Sequence, residues 1–421
     1  MKETMNKDEE YLYAELEEDV IDTYKKIIAS RYFTASHLEE VAAEAKQRIH
    51  LHRSVEAHTF YLLYMKGVYS LSISCSTYEE FDRRFQHFFT SMSAAIVESV
   101  EDIKHDSELY QAFLEQVLFH FVYDMEGQHA PWSRLLQRML ATMPVEHLEP
   151  LYRFLNNAIT TRYPARDVSL LFSYVTLIVG KEKEALSLLT ESILPVTEHE
   201  VTIHFQCLKK RERWETMKQW FTELFSHKPN GPYGSLQPLA DEMQAHIHRD
   251  PVELKQIWNR WLLAPSYNRF RSLTRHLEQQ EVENIVDELL PKMRERFHQI
   301  ETVSTYMKLL HSFRRFDEAS RYFLQHERDP FRLRPEKTDM LDLLFKERPD
   351  LIKPIYHQFV VRLVEKKSRA HYEHAVHFIK FLKRIYENNN ERDLFLAYVK
   401  RMKKTYRTYR AFVEELKTIE R

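Results

Sequence analysis

The 421 residues include only 5 glycines, far below the roughly 7 % of an average chain, and sheets need glycine at hairpin turns and bulges, so composition argues against a β architecture. Hydrophobic residues at 43 % and aromatics at 13 % exclude global disorder, and no run approaches the ~18 apolar residues of a membrane span. The net charge of −2 excludes a global attraction to nucleic acid, and two cysteines, Cys75 and Cys207, cannot build a disulfide framework or a four-thiolate zinc site.

Met1-Lys2-Glu3-Thr4 shows no apolar signal-peptide core, so the expected compartment is the cytoplasm. Between Glu9 and Ser30, Tyr13, Leu16, Val20, Tyr24 and Ile27 recur at three- and four-residue steps, predicting an amphipathic helix with an acidic outer face. Leu109 to Tyr123 carries a broad apolar stripe that includes Phe113, Val117 and Phe121. Breaks of two to six residues then force neighbouring helices antiparallel. Val168 to Val179 pairs with Lys183 to Leu194 across Gly180-Lys181; Val201 to Lys210 pairs with Trp214 to Phe225 across Arg211-Glu212-Arg213; Val303 to Phe313 pairs with Phe316 to Gln325. A small residue followed four later by a large one, as in Ala185/Leu189, Ala319/Phe323 and Ala375/Ile379, allows the close helix approach of tetratricopeptide-type pairs.

Lys228-Pro229-Asn230-Gly231-Pro232-Tyr233-Gly234-Ser235 is the loop densest in turn residues and marks a boundary. Asp329 to Pro335 reads as a kink, and Pro349 and Pro354 bracket a further break. At the end, Ala375, Phe378, Leu382 and Ile385 form one seam, and Phe395, Val399, Met402, Tyr406, Tyr409, Val413 and Leu416 a second, predicting a long antiparallel hairpin over Tyr372 to Glu420. The expected fold is therefore all-α, an α-solenoid-like array of antiparallel helical hairpins closed by this one. Residues 1–227 form an N-terminal array, 228–236 a linker, 237–350 a second array and 351–421 a basic C-terminal hairpin.

Chemistry-bearing patterns are sparse. His371, Glu373, His374 and His377 share one segment, but His371 turns away from the face of the other two histidines, so a solvated helix surface is the expected reading. His204 and Cys207 supply two ligands at most, and Cys207 beside Phe205 and Leu208 reads as a buried thiol. His50-Leu51-His52 and His246-Ile247-His248 place their rings on different helix faces. Gly180-Lys181 joins two helices and is a turn, not a phosphate loop, and no G-x-S-x-G elbow occurs. No metal, cofactor or catalytic residue is expected.

Charge is uneven: Lys353 to Arg421 holds 17 Lys+Arg against 8 Asp+Glu. Lys400, Lys404 and Arg407 fall opposite the Met402/Tyr406 seam, flanked by Arg401, Lys403 and Arg410, a row suited to phosphate or an acidic protein surface. Helical spacing assigns Tyr398, Tyr406 and Tyr409 to packing rather than base stacking.

Tyr372-Glu373-His374-Ala375-Val376-His377-Phe378-Ile379-Lys380-Phe381-Leu382-Lys383-Arg384-Ile385-Tyr386, Phe395-x-x-Tyr398 and Tyr406-Arg407-x-Tyr409-Arg410-Ala411-Phe412-x-Glu414-Glu415-Leu416 resemble the helical region that follows the finger in bacterial SWIM zinc-finger proteins. The C-x-C and C-x-H pairs of that finger are missing, so zinc binding does not carry over. The resemblance implies association with DNA-acting machinery, including helicase-like ATPases. The expected function is a non-enzymatic adaptor or scaffold with a protein partner; the alternative is direct nucleic-acid binding through the basic end. Neither a membrane nor a small-molecule substrate is expected.

Overall fold

A computed structural model describes residues 7–29, 34–52, 57–127, 129–159, 164–229, 231–247 and 251–419. Among them every regular element is helical. The α-helices are α1 Lys7–Ile27, α2 Ala35–His52, α3 Ala57–Ser74, α4 Asp82–Val100, α5 Ser107–Tyr123, α6 Trp132–Met139, α7 Leu148–Ile159, α8 Arg166–Ile178, α9 Glu182–Ser192, α10 Thr202–Lys210 and α11 Trp214–Leu224. Then follow α12 Gln237–Ile247, α13 Pro251–Leu263, α14 Tyr267–Thr274, α15 Gln279–Arg294, α16 Ile300–Ser312, α17 Phe316–Gln325, α18 Pro335–Glu347, α19 Pro349–Val364, α20 Arg369–Asn388, α21 Arg392–Thr405 and α22 Arg410–Lys417. Each packs mainly on near neighbours in the chain. No helix among the described residues is long and apolar enough to cross a membrane. Met1–Thr4, the side chains of Tyr13, His50, Leu51 and His52, and residues Asn230, His248 and Glu420 lie outside the described residues.

The hairpins share one device. In α8/α9, α10/α11, α16/α17 and α20/α21 three residues reverse the chain, the middle one at positive φ: Gly180 (92°), Glu212 (56°), Arg314 (51°) and Asn390 (58°). The next residue donates its N–H five positions back into the preceding helix: Lys181 to the Thr176 carbonyl (3.1 Å), Arg213 to Leu208 (2.9 Å), Arg315 to Leu310 (3.0 Å) and Glu391 to Tyr386 (2.8 Å). This Schellman geometry satisfies carbonyls that a helix end otherwise leaves open, and the following helix starts at once. Three of these expected hairpins, at 180, 211–213 and 314–315, therefore form where the sequence places them.

Contacts divide the chain into two compact units, Met1–Leu239 and Ala240–Arg421. In the first, Leu16, Val20, Tyr24 and Ile27 of α1 face a core shared with α3, α4 and α5. That core encloses polar groups that pair among themselves, as burial demands. Lys66 Nζ lies 2.8 Å from His120 Nδ1, and Trp132 Nε1 donates to Asp124 at 2.7 Å. The His120 and Trp132 rings stack at 5.3 Å. Ser173 donates to the Ala185 carbonyl at 2.9 Å, a contact that the small side chain at 185 permits between α8 and α9. In the second unit, buried Asp241 accepts from Arg260 at 3.0 and 2.6 Å and also from Arg269. Trp132 and Trp220 are fully buried in the first unit, Trp261 in the second.

Two expectations about the second unit change. Pro354 does not interrupt α19, which opens with Pro349 at its first turn and runs through to Val364. The N–H that Pro354 lacks would have met the carbonyl of Asp350, which is exposed and can be hydrated, while Ile352, Ile355 and Phe359 hold the helix to the core. The return arm of the C-terminal hairpin is not one helix: Tyr406 to Tyr409 forms a turn between α21 and α22. The break lets α22 fold back along α20, where Phe412 meets Tyr372 at 5.6 Å and Lys383 Nζ donates to the Ile419 carbonyl at 3.3 Å. Residues 351–419 share one hydrophobic core with the rest of their unit.

The junctions give a direct test of backbone strain. A side chain at positive φ costs about 1 kcal/mol. Glu212→Gly is expected to stabilise the protein by about that amount, and Gly180→Ala, which has open space for its methyl group but the wrong φ, to destabilise it similarly. Urea denaturation followed by far-UV circular dichroism reads both; the same sign for the two would contradict the account.

Candidate interaction surfaces

The basic residues singled out in the sequence divide among three elements. Lys400, Lys403 and Lys404 belong to the second half of α21, Arg407 to the turn, and Arg410 opens α22. Lys400, Lys404, Arg407 and Arg410 are exposed and Lys403 is half-buried. The continuous row expected on a single helix is thus bent at the turn. The tyrosines beside them point to the core: Tyr398 sits edge-on to His357 at 4.4 Å, its buried hydroxyl meeting no partner among the described residues, Tyr406 meets Tyr409 at 5.5 Å, and Tyr409 stacks on Tyr372 at 6.4 Å. Burial raises the pKa of Tyr398, which keeps it a neutral phenol.

The histidine segments serve packing. His371 stacks on Phe331 at 4.4 Å, His374 meets the same ring edge-on at 5.1 Å, and His377 lies edge-on to Phe381 at 4.8 Å. His246 packs on His276 with ring centroids 4.0 Å apart. Among the described residues no group of three or more His, Cys, Asp or Glu could hold a metal ion. His204 is fully buried between Tyr174 (5.4 Å) and Trp220 (5.9 Å), and among the described residues neither ring nitrogen meets a hydrogen-bond partner. Burial drives its pKa down to about 3. Cys207 is half-buried, and burial raises its thiol pKa.

His204 forms part of the wall of a mixed polar and apolar cleft of about 1130 Å³ in the first unit, with Tyr78, His129, Arg134, Asp167 and Glu200. Most of its charges are already engaged. Glu200 accepts from Arg166 at 2.7 and 3.0 Å, which holds its pKa down to about 2, and Arg134 donates to Thr90 at 3.0 Å. The His129 ring lies flat on Tyr78 at 5.0 Å. Burial raises the pKa of Asp167 at the start of α8, opposed by the Ser133 hydroxyl, local backbone N–H groups and His129.

A different surface is the least expected. Between α5 and α7 runs an open groove of about 840 Å³ lined chiefly by Leu114, Leu118, Phe119, Tyr123, Leu151 and Phe154. Its aromatic rim faces solvent: Phe119 is 50 % exposed, Tyr123 60 % and Phe154 40 %, with Leu109 of the same helix at 53 %. The other side of α5 fills the core with Phe113, Val117 and Phe121, and Leu114 and Leu118 form the buried floor between the two. A helix apolar on more of its circumference than one neighbour can cover leaves a surplus outside. The breadth of the Leu109 to Tyr123 stripe was the signal in the sequence; which part stays uncovered depends on where α3 and α6 lie.

Comparison with protein-family models, curated proteins and solved structures finds no match.

The buried histidines make stability depend on acid. His120 is held, like His204, at a pKa of about 3, by burial and then by the Lys66 charge. Both lie below the ordinary 6.5, so the unfolded chain takes up protons first as pH falls. The stabilisation is complete above about pH 6.5 and is lost between there and about pH 3. Each histidine then accounts for about 2 kcal/mol of the decline between pH 7 and 5. His204→Phe, which keeps the ring in its aromatic setting, should remove that share from urea midpoints measured at the two pH values; an unaltered pH slope would contradict it.

Proposed function

We propose that the chain is a non-enzymatic interaction module, a cytoplasmic adaptor or scaffold of tetratricopeptide-like helical hairpins that holds a protein partner. The observation that carries this reading is the α5/α7 groove, where three aromatic rings remain 40 to 60 % exposed. A hydrophobic patch of that kind costs solubility unless something covers it, and it sits on two well-packed helices able to present it rigidly. The resemblance of the C-terminal residues to SWIM zinc-finger proteins supports a partner from DNA-acting machinery. A photo-crosslinking phenylalanine analogue at position 119, in cells, is expected to give one discrete protein adduct, lost with Tyr123→Ala/Phe154→Ala. The same analogue at Leu263, 65 % exposed in the other unit, should give none. Equal labelling from both sites would defeat the reading.

A second reading is direct nucleic-acid binding. It is supported by the exposure of Lys400, Lys404, Arg407 and Arg410, none of which enters an ion pair among the described residues. Three phosphate contacts would give a log–log salt slope of about −3 on duplex DNA. Lys400→Glu/Lys404→Glu/Arg407→Glu should then abolish binding in a gel-shift titration, and undiminished binding by this variant would eliminate the idea.

A further inference from the structure

We infer that the α5/α7 groove receives an amphipathic α-helix with basic flanks, contributed by a partner protein. This rests on the interaction-module reading and gives the partner a chemistry. Backbone hydrogen bonding comes first. Both walls are α-helices whose internal N–H and C=O groups are already paired, so an extended peptide would find no strand edge to join. A helix satisfies its own backbone and brings only side chains to the groove, which is what these walls can accept.

The lining sets the number of anchors. Along α5, Gln111, Glu115, Phe119 and Tyr123 succeed one another at four-residue steps, and Pro150 and Phe154 do the same on α7. From Gln111 to Tyr123 the groove wall measures about 18 Å, or roughly three helical turns. The occupant therefore needs apolar side chains at i, i+3 or i+4, and i+7. The two α5 rings are backed from below: the buried Lys66 ammonium lies 6.0 Å from the Phe119 centroid and 5.8 Å from that of Tyr123, and is itself held by His120 at 2.8 Å. Rings supported in this way lose less freedom when a partner arrives.

Charge selects the flanks. The exposed acids of α5, of the short turn before α7 and of α7 itself are Glu108, Glu115, Glu146 and Glu149. The one exposed base on these elements, Arg153, is engaged by Glu149 at 3.2 Å. The rim is therefore acidic around an apolar floor. It attracts lysine and arginine beside the apolar stripe and repels nucleic acid, and a second copy of the same face would set acid against acid.

The test uses the full chain and two fluorescent model peptides of about 14 residues, one amphipathic helix of leucine and lysine and its leucine and glutamate counterpart. Fluorescence anisotropy is expected to show the leucine/lysine helix binding at least about tenfold more tightly than the other, and weakening as salt rises. Phe119→Ala/Phe154→Ala should reduce its affinity by about tenfold or more. Glu115→Lys/Glu149→Lys, which leaves the apolar lining in place, should reverse the preference between the peptides. Equal binding of the two peptides, binding unchanged in both variants, or a chain dimer dispersed by Phe119→Ala/Phe154→Ala would each overturn the inference. A crosslinked partner at position 119 with no leucine/lysine binding would reject the basic helix and keep the interaction module; neither adduct nor peptide binding would reject both.

Discussion

The hairpins depend on a reversal made in three residues, and that reversal depends on one residue holding a left-handed backbone. The amide after it reaches back to close the helix that has just ended, so the next helix departs without a loop. Only one of the four positions is glycine; Glu212, Arg314 and Asn390 accept the strain. Shortness is what the strain provides. With no slack in the connection, the two helices must lie side by side, and small residues such as Ala185 and Ala319, both fully buried, decide how closely.

Arginine makes the complementary contribution at helix ends. Arg211 donates to the carbonyls of Leu177 and Ile178 at the end of α8, and Arg362 to those of Phe323, Leu324 and Glu327 at the end of α17. Arg296 donates to Leu262 at the end of α13, and Arg84 to Ile27 and Ala29 at the end of α1. In each case a positive group from later in the chain, on a helix or in the turn that follows one, meets the negative end of an earlier helix, where the carbonyls lack partners. Much of the charge in this chain is thus spent on joining helices within a unit. The α5/α7 rim differs, because among the described residues most of its acids enter no ion pair.

Local signals were the ones that could be read in advance. Gly180 and the charged runs at 211–213 and 314–315 interrupt the apolar rhythm, so their hairpins appear in the sequence within three residues of their places. The turn at Tyr406 to Tyr409 did not, because a four-residue break preserves the alternation of three and four. Phe395, Val399, Met402 and Leu416 are all buried whether or not the helix is continuous. Pro354 misled in the opposite direction, since its cost falls on an exposed carbonyl and packing outweighs it. The cleft that holds His204 was beyond reach, because Tyr78, Asp167 and His204 are brought together from positions far apart in the chain. The groove was half visible: the excess of apolar residues on α5 could be counted, but the side left bare is decided by its neighbours.

The placement of the indole side chains gives the molecule a built-in optical record. Trp132 and Trp220 are sealed inside the first unit and Trp261 inside the second, each against its own aromatic neighbours. Emission from single-tryptophan versions of the chain would separate the melting of one unit from that of the other. Whether the two halves lose their interiors together or in succession is thereby written in the colour of the light they emit.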